Sequence, residues 1–127
     1  MSGHRAVLVD VDGTVTAKTY GTINLDTLTE ATQTRYVDCV LVRSLGDSDI
    51  TLDAWVDDEG LLNGSKPNPV ASQMIASLSG RECQMLHGIV LFVSCDRTTG
   101  ESIGLTAEHQ ESLVAMGEIL SKLLAQV

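Results

Sequence analysis

Asp10 and Asp12 are the residues whose type and spacing are best suited to chemistry. They follow the apolar run 6–9 and lead into Gly13 and Thr14. Neighbouring carboxylates can bind Mg²⁺ through their oxygens, and such side chains also serve as nucleophiles and as general acids or bases. Chemistry of this kind requires the strand to end at the aspartates, so that both carboxylates project from one edge of a sheet.

The stretch 6–14, which reads Ala-Val-Leu-Val-Asp-Val-Asp-Gly-Thr, resembles the opening motif of haloacid-dehalogenase-type phosphatases. The resemblance implies that Asp10 attacks phosphorus, that Asp12 acts as the acid/base group, and that Mg²⁺ neutralises the cluster. An alternative function is therefore a Mg-dependent phosphohydrolase built on these two aspartates.

The remaining groups of such a phosphatase do not occur in the required order. That family also needs a basic residue for phosphate and a later acidic pair for magnesium. Lys66 lies in a turn, Asp57 and Asp58 precede it, and Asp96 stands alone. The crossovers of a parallel sheet also need more chain than lies between these strands. A hairpin with an Asp-Gly turn at 12–13 explains the same residues without chemistry, and we favour it.

A second group of polar residues lies in the connection 54–68, which combines an acidic turn, an Asn-Gly turn and a helix start. An exposed tryptophan on a polar face is a common binding anchor, although Trp55 could equally cover the hairpin or pack under the last helix. The turn 57–60 lacks the further oxygen ligands of an EF-hand loop, so we interpret it as solvated. We predict no catalytic residue, metal or cofactor. The predicted binding residues are Trp55, Asp57, Asp58, Glu59, Asn63, Lys66 and Asn68.

Composition limits the classes of partner. The 127 residues predict a single domain spanning 1–127, and a hydrophobic fraction of 43% predicts a folded chain. A net charge of −9 repels phosphate backbones, so we expect no direct binding to nucleic acid phosphates. Three scattered cysteines favour reduced thiols. With no leader or membrane-spanning run, we expect a cytoplasmic protein without membrane contact.

Hydrophobic periodicity predicts the strands that would position these residues. Residues 5–11 and 15–20 form one predicted hairpin. Residues 36–45 and 50–57 form a second, in which the strand 50–57 alternates between an apolar and a polar face. The apolar run 88–93 predicts a buried central strand, and a short extended piece follows near Ile103.

Capping signals predict three helices. A capping box at 27–30 predicts a short helix to about residue 34, and Asn68 followed by Pro69 begins a second helix that Gly80 ends. Thr106 caps the last and longest helix, which we expect to dock on the sheet rather than on another subunit. Its apolar residues are Leu113, Met116, Leu120, Leu123 and Val127. The prediction is an α+β fold, with a largely antiparallel β-sheet packed by two short helices and one longer C-terminal helix.

The middle of the chain carries a distinctive order of motifs: a strand, the turn Asp-Asp-Glu-Gly at 57–60, Gly64, and Asn-Pro-Val-Ala at 68–71. This order resembles the family known as domain of unknown function 3846. Weaker similarity covers residues 25–42, the strand 88–93 and residues 100–106. One departure is at 87–89, where that family has a glycine followed by a polar residue.

The resemblance implies a protein of actinobacterial phages or plasmids. Such genes often lie in accessory regions, so an anti-defence or host-modulating role is the expectation. No catalytic residues can be carried over, because the family offers none. We therefore expect a non-enzymatic binding module whose partner is a protein or a small molecule, and the sequence leaves its oligomeric state open.

Overall fold

The computed structural model describes residues 3–46 and 48–126, which form a six-stranded sheet and three helices. The helices contain 8, 11 and 18 residues in chain order, so the last is the longest. The predicted α+β fold is thereby confirmed. The elements are β1 (His4–Val9), β2 (Val15–Tyr20), α1 (Leu25–Thr32), β3 (Val37–Ser44), β4 (Ile50–Asp57), α2 (Pro69–Ser79), β5 (Val90–Asp96), β6 (Glu101–Ile103) and α3 (Ala107–Leu124).

Strand order in the sheet is β2-β1-β5-β4-β3, and every described pairing is antiparallel. The first half of β5 pairs with β1, and its second half pairs with β6. On its other side β5 pairs with β4, so the predicted central position of this apolar strand is confirmed. Both predicted hairpins, β1–β2 and β3–β4, are present.

Helices cover both faces of the sheet. Helices α2 and α3 pack on one face, where Phe92 and Met74 are fully buried. Helix α1 packs on the other face through Leu28, against Ala6, Leu91 and Val93. The expectation that α3 docks on the sheet is confirmed by buried Leu113 and by Gly117, which lies against Val15.

Only part of the predicted stripe on α3 is covered. Leu113 is buried and Met116 and Leu120 are partly buried, whereas Leu123 is 55% exposed. Val127 lies outside the described residues. The stripe turns away from the sheet toward the helix end, because a straight helix does not keep a fixed face on its support over five turns.

The first helix begins earlier than the capping box at 27–30 predicted. Asn24 is the N-cap, its side chain accepts from the Thr27 N–H at 3.0 Å, and the Thr27 hydroxyl accepts from the Asn24 N–H at 3.3 Å. Thr27 is therefore the third helical residue of the box rather than its cap. The caps predicted for the other two helices, Asn68 and Thr106, are confirmed.

The predicted polar face of β4 is buried as well. Thr51 and Asp53 are 5% and 1% exposed, although they alternate with the apolar face as expected. The Arg97 guanidinium explains the difference, since it donates from Nη2 to Asp53 Oδ1 at 2.8 Å and from Nε to the Thr51 hydroxyl at 3.0 Å. A buried carboxylate paired in this way is tolerated inside a fold.

Candidate functional site

A groove lies where the start of β3 and the end of β4 meet the acidic turn 57–60 and the segment 84–87. Its volume is about 460 Å³. We call it the acidic groove, because Asp38, Asp57 and Asp58 are among its lining residues. It contains part of the predicted binding surface, together with residues that the sequence did not single out.

Asp57 organises the turn on one side of the acidic groove. Its Oδ1 accepts from the Thr34 hydroxyl and from the Glu59 N–H, both at 2.9 Å. Its Oδ2 accepts from the Asn63 amide at 3.3 Å. The Asp57 carboxylate thus joins three segments: the residues after α1, the acidic turn and the Asn-Gly turn. Asp57 and Asn63 therefore hold the shape of the loop.

Segment 84–87 forms the opposite wall and is joined directly to the turn. Gly60 is buried, and a Cβ at this position would lie 2.2 Å from the His87 carbonyl oxygen. The Gly88 N–H donates to the Lys66 carbonyl at 2.9 Å, and Nδ1 of His87 lies 3.1 Å from the Ser65 carbonyl. This close approach fixes the two walls relative to each other.

Two large exposed apolar side chains, Leu61 and Met85, line this groove, and Leu62 is the next residue along the chain after Leu61. Leu61, Leu62 and Met85 are 71%, 83% and 48% exposed. Exposed apolar side chains grouped beside polar residues mark interaction surfaces more often than isolated ones do. The adjacent leucines could have been noticed in the sequence, since they stand in a loop between two turns. Met85 carried no such signal, because only the fold brings segment 84–87 beside the turn.

The charge around the acidic groove is not neutralised by neighbouring cations. Asp58 is exposed and Glu59 is partly exposed. Within residues 3–46 and 48–126, the salt bridge found is that of Arg97 with Asp53, at the middle of the sheet. Lys66 is exposed but pairs with none of the described carboxylates. The rim thus presents negative charge to an approaching partner.

Trp55 lies away from the acidic groove. Its ring packs in the cluster under α1, the first helix, and not under the last helix. The side chain is partly exposed, and its enclosed Nε1 has no hydrogen-bond partner among the described residues. Trp55 does not line the acidic groove, although Asp57 lies two residues further along the same face of β4 and binds Thr34, just after α1.

Asn68 is fully buried and uses its side chain within the fold. Its Nδ2 donates to the carbonyls of Val9 at 3.0 Å and Gly88 at 2.9 Å, and its Oδ1 accepts from the Ala71 N–H at 3.1 Å. These bonds join β1, the start of β5 and the start of α2. The side chain is not accessible to a ligand in this arrangement.

Asp10 and Asp12 lie in the turn of an antiparallel hairpin. Asp12 Oδ1 accepts from the Thr14 N–H at 2.9 Å, and this bond holds the pKa of the exposed carboxyl below its ordinary value. Gly13 adopts a φ of +91° and donates to the Asp10 carbonyl at 3.1 Å. Within the described part of the chain, no three His, Cys, Asp or Glu side chains are grouped as metal ligands.

A second polar cluster on the α1 face of the sheet was not anticipated. Cys39 Sγ lies 3.3 Å from Asp53 Oδ2 and donates to it, beside the Arg97 contact already described. Burial, and then the negative charge of Asp53, raise the pKa of Cys39 to about 12. Burial also raises the pKa of Cys83 and Cys95. These thiols are poor nucleophiles at neutral pH, because the thiolate is the reactive form.

Comparison with known proteins places this architecture in a family context. A family model described as a domain of unknown function (DUF3846) matches residues 4–118. The matched range contains the acidic groove, both hairpins and most of α3. No curated protein and no solved structure matches the chain. None of the described helices combines the length and the apolar character needed to cross a bilayer.

Proposed function

The chain belongs to the DUF3846 family, and we propose that it is a non-enzymatic binding module that holds a basic, amphipathic segment of a partner protein in the acidic groove. The observation that carries this proposal is that exposed Leu61 and Met85 line the acidic groove beside carboxylates that form no salt bridge among the described residues. Apolar anchors with a charged rim are the usual composition of a recognition surface.

Charge selects the class of partner. The chain carries 17 acidic and 8 basic residues, and its net charge of −9 disfavours acidic partners in general. At the rim, Asp38, Asp58 and Glu59 would meet lysine or arginine side chains of a partner. Such pairs increase the association rate and the selectivity more than the affinity.

Apolar contact supplies the affinity. Full burial of a leucine or methionine side chain contributes about 1.5–3 kcal/mol, and exposed Leu61 and Met85 both line the acidic groove. A helix with leucines on one face and lysines on the other matches both requirements, because it presents anchors and charge from neighbouring turns.

The test is the affinity of a synthetic amphipathic helix made of leucine and lysine, measured by fluorescence anisotropy. We expect it to bind the wild type, and to bind the double variant Leu61→Ser/Leu62→Ser at least tenfold more weakly. The same helix with glutamate in place of lysine should not bind. The two leucine-to-serine substitutions leave the net charge of the protein at −9, so its general attraction to a basic helix is unchanged.

A matched control removes apolar side chains elsewhere. Ile119 and Leu123 are 60% and 55% exposed on α3, so Ile119→Ser/Leu123→Ser changes the surface by a similar amount. We expect this control to keep wild-type affinity for the leucine-lysine helix. Equal weakening by both double variants would refute a binding surface at the acidic groove.

We further infer that the protein is an accessory protein of a phage or plasmid and acts in the cytoplasm. The family resemblance supports the origin, and three free thiols support a reducing compartment. Occupying a basic segment of a host protein would give a host-modulating or anti-defence role. Sequencing of the gene's surroundings tests the origin: flanking chromosomal housekeeping genes would count against it.

A further inference from the structure

A second pocket lies at the other end of β4, on the face that carries α2 and α3. Its volume is about 500 Å³. The end of the β3–β4 hairpin contributes Arg43 and Leu45, the end of α2 contributes Leu78, and the first turns of α3 contribute His109 and Ser112. Leu52 of this pocket lies four residues before Val56 of the acidic groove, a separation of roughly 13 Å along β4.

The floor of the pocket is apolar and its rim is polar. Leu52 and Leu113 are buried beneath it, and Leu45 and Leu78 are partly buried at its sides. A pocket of this size with an apolar lining and a few polar groups is the common form of a small-molecule site.

The polar groups of the rim favour an anion. Arg43 is the charged residue among the described lining, and no carboxylate accompanies it there. Within the described residues Arg43 forms no salt bridge. A guanidinium binds carboxylates through two parallel hydrogen bonds.

Serine and histidine add polar groups to the rim. Nδ1 of His109 is enclosed and has no hydrogen-bond partner among the described residues. The Ser112 hydroxyl is a donor in the same lining as Arg43, so it is available to an anionic head group.

From these groups we propose that the pocket binds a small amphipathic monoanion, with its carboxylate at Arg43 and its hydrocarbon chain on Leu52, Leu78 and Leu113. The proposal concerns a different site from the acidic groove and does not depend on the binding of a protein partner there.

Titration of the full chain with octanoate, 1-octanol and octylamine, followed by calorimetry and by amide chemical shifts, tests this site. We expect octanoate to bind with a Kd of about 1 mM or tighter, and at least tenfold more tightly than octanol or octylamine. The shifts should centre on residues 43–46 and 109–113. Equal affinity for octanoate and octylamine, or shifts spread over other surfaces, would overturn the proposal.

Three variants test where the carboxylate and the hydrocarbon chain of octanoate bind. Arg43→Gln should weaken octanoate about tenfold and leave octanol unchanged, whereas Lys122→Gln, an equal loss of charge at the far end of α3, should change neither. Ser112→Phe places a ring in the pocket from an exposed position and should abolish binding of both. Circular dichroism confirms folding of each variant, and a folded Ser112→Phe protein that still binds octanoate would contradict the assignment.

Discussion

Asn68 shows how one side chain can hold three elements together. Its amide satisfies two carbonyls and caps α2, and it is fully buried. Asn68→Ala leaves both carbonyls without this donor and removes the cap, so we expect a loss of about 3 kcal/mol in the free energy of unfolding, measured with urea. Gln126→Ala, at an exposed amide side chain after the end of α3, should cost less than about 0.5 kcal/mol. Equal losses would contradict the structural role of Asn68.

Cys39 predicts a specific dependence of stability on pH. Its pKa is raised by burial and by Asp53 to about 12, from 9.0 in an unfolded chain. The folded state therefore keeps a proton that the unfolded state loses, so the free energy of unfolding falls as pH rises from about 9 toward 12. Urea unfolding at several alkaline pH values should show a shallower fall in Cys39→Ala. An identical slope in the variant would exclude this thiol as a cause.

At the scale of elements, local signals were enough for most of the fold. The hairpins, the central strand β5 and the caps at Asn68 and Thr106 depend on residues adjacent in sequence, and all were predicted. The burial of Asp53 was not, because its partner Arg97 lies 44 positions away. Alternating apolar and polar residues, as in β4, predict a strand with one exposed face. Whether the polar face is also buried depends on tertiary packing.

The acidic groove was predictable from the sequence only in part. The turn 57–60 and Asn63 were expected, since acidic and Asn-Gly turns have clear local signatures. Segment 84–87 was not, because its position depends on the approach of Gly60 to His87. Lys66 is exposed, whereas Asn68 is buried and binds groups in the interior.

Gly60 gives a prediction for these two walls. Gly60→Ala would place a Cβ against the His87 backbone, so we expect a loss of about 1–3 kcal/mol in stability and weaker binding of the leucine-lysine helix. Gly21→Ala is a suitable control, because nothing lies within 4 Å of a Cβ there. Thermal unfolding of both variants checks this. A Gly60→Ala protein as stable as the control would show that the walls do not need this contact.

For the whole molecule, every described strand pairing is antiparallel, whereas the phosphatase alternative expects Asp10 and Asp12 at the end of a parallel strand. Asp10 and Asp12 hold a hairpin turn. We predict that millimolar Mg²⁺ leaves the midpoint of thermal unfolding unchanged and that hydrolysis of a phosphate monoester does not exceed background. Any Mg-dependent phosphatase activity that Asp10→Asn abolishes would establish the alternative function instead.

The most direct test of a binding surface at the acidic groove is a map of amide chemical shifts as the leucine-lysine helix is added to the wild-type protein. We predict that the largest changes fall at residues 57–63 and 84–88, the two walls of the acidic groove, and that they decrease as salt is raised. Changes spread evenly over the acidic surface, or centred on α3 or on the α1 face around Trp55, would contradict it.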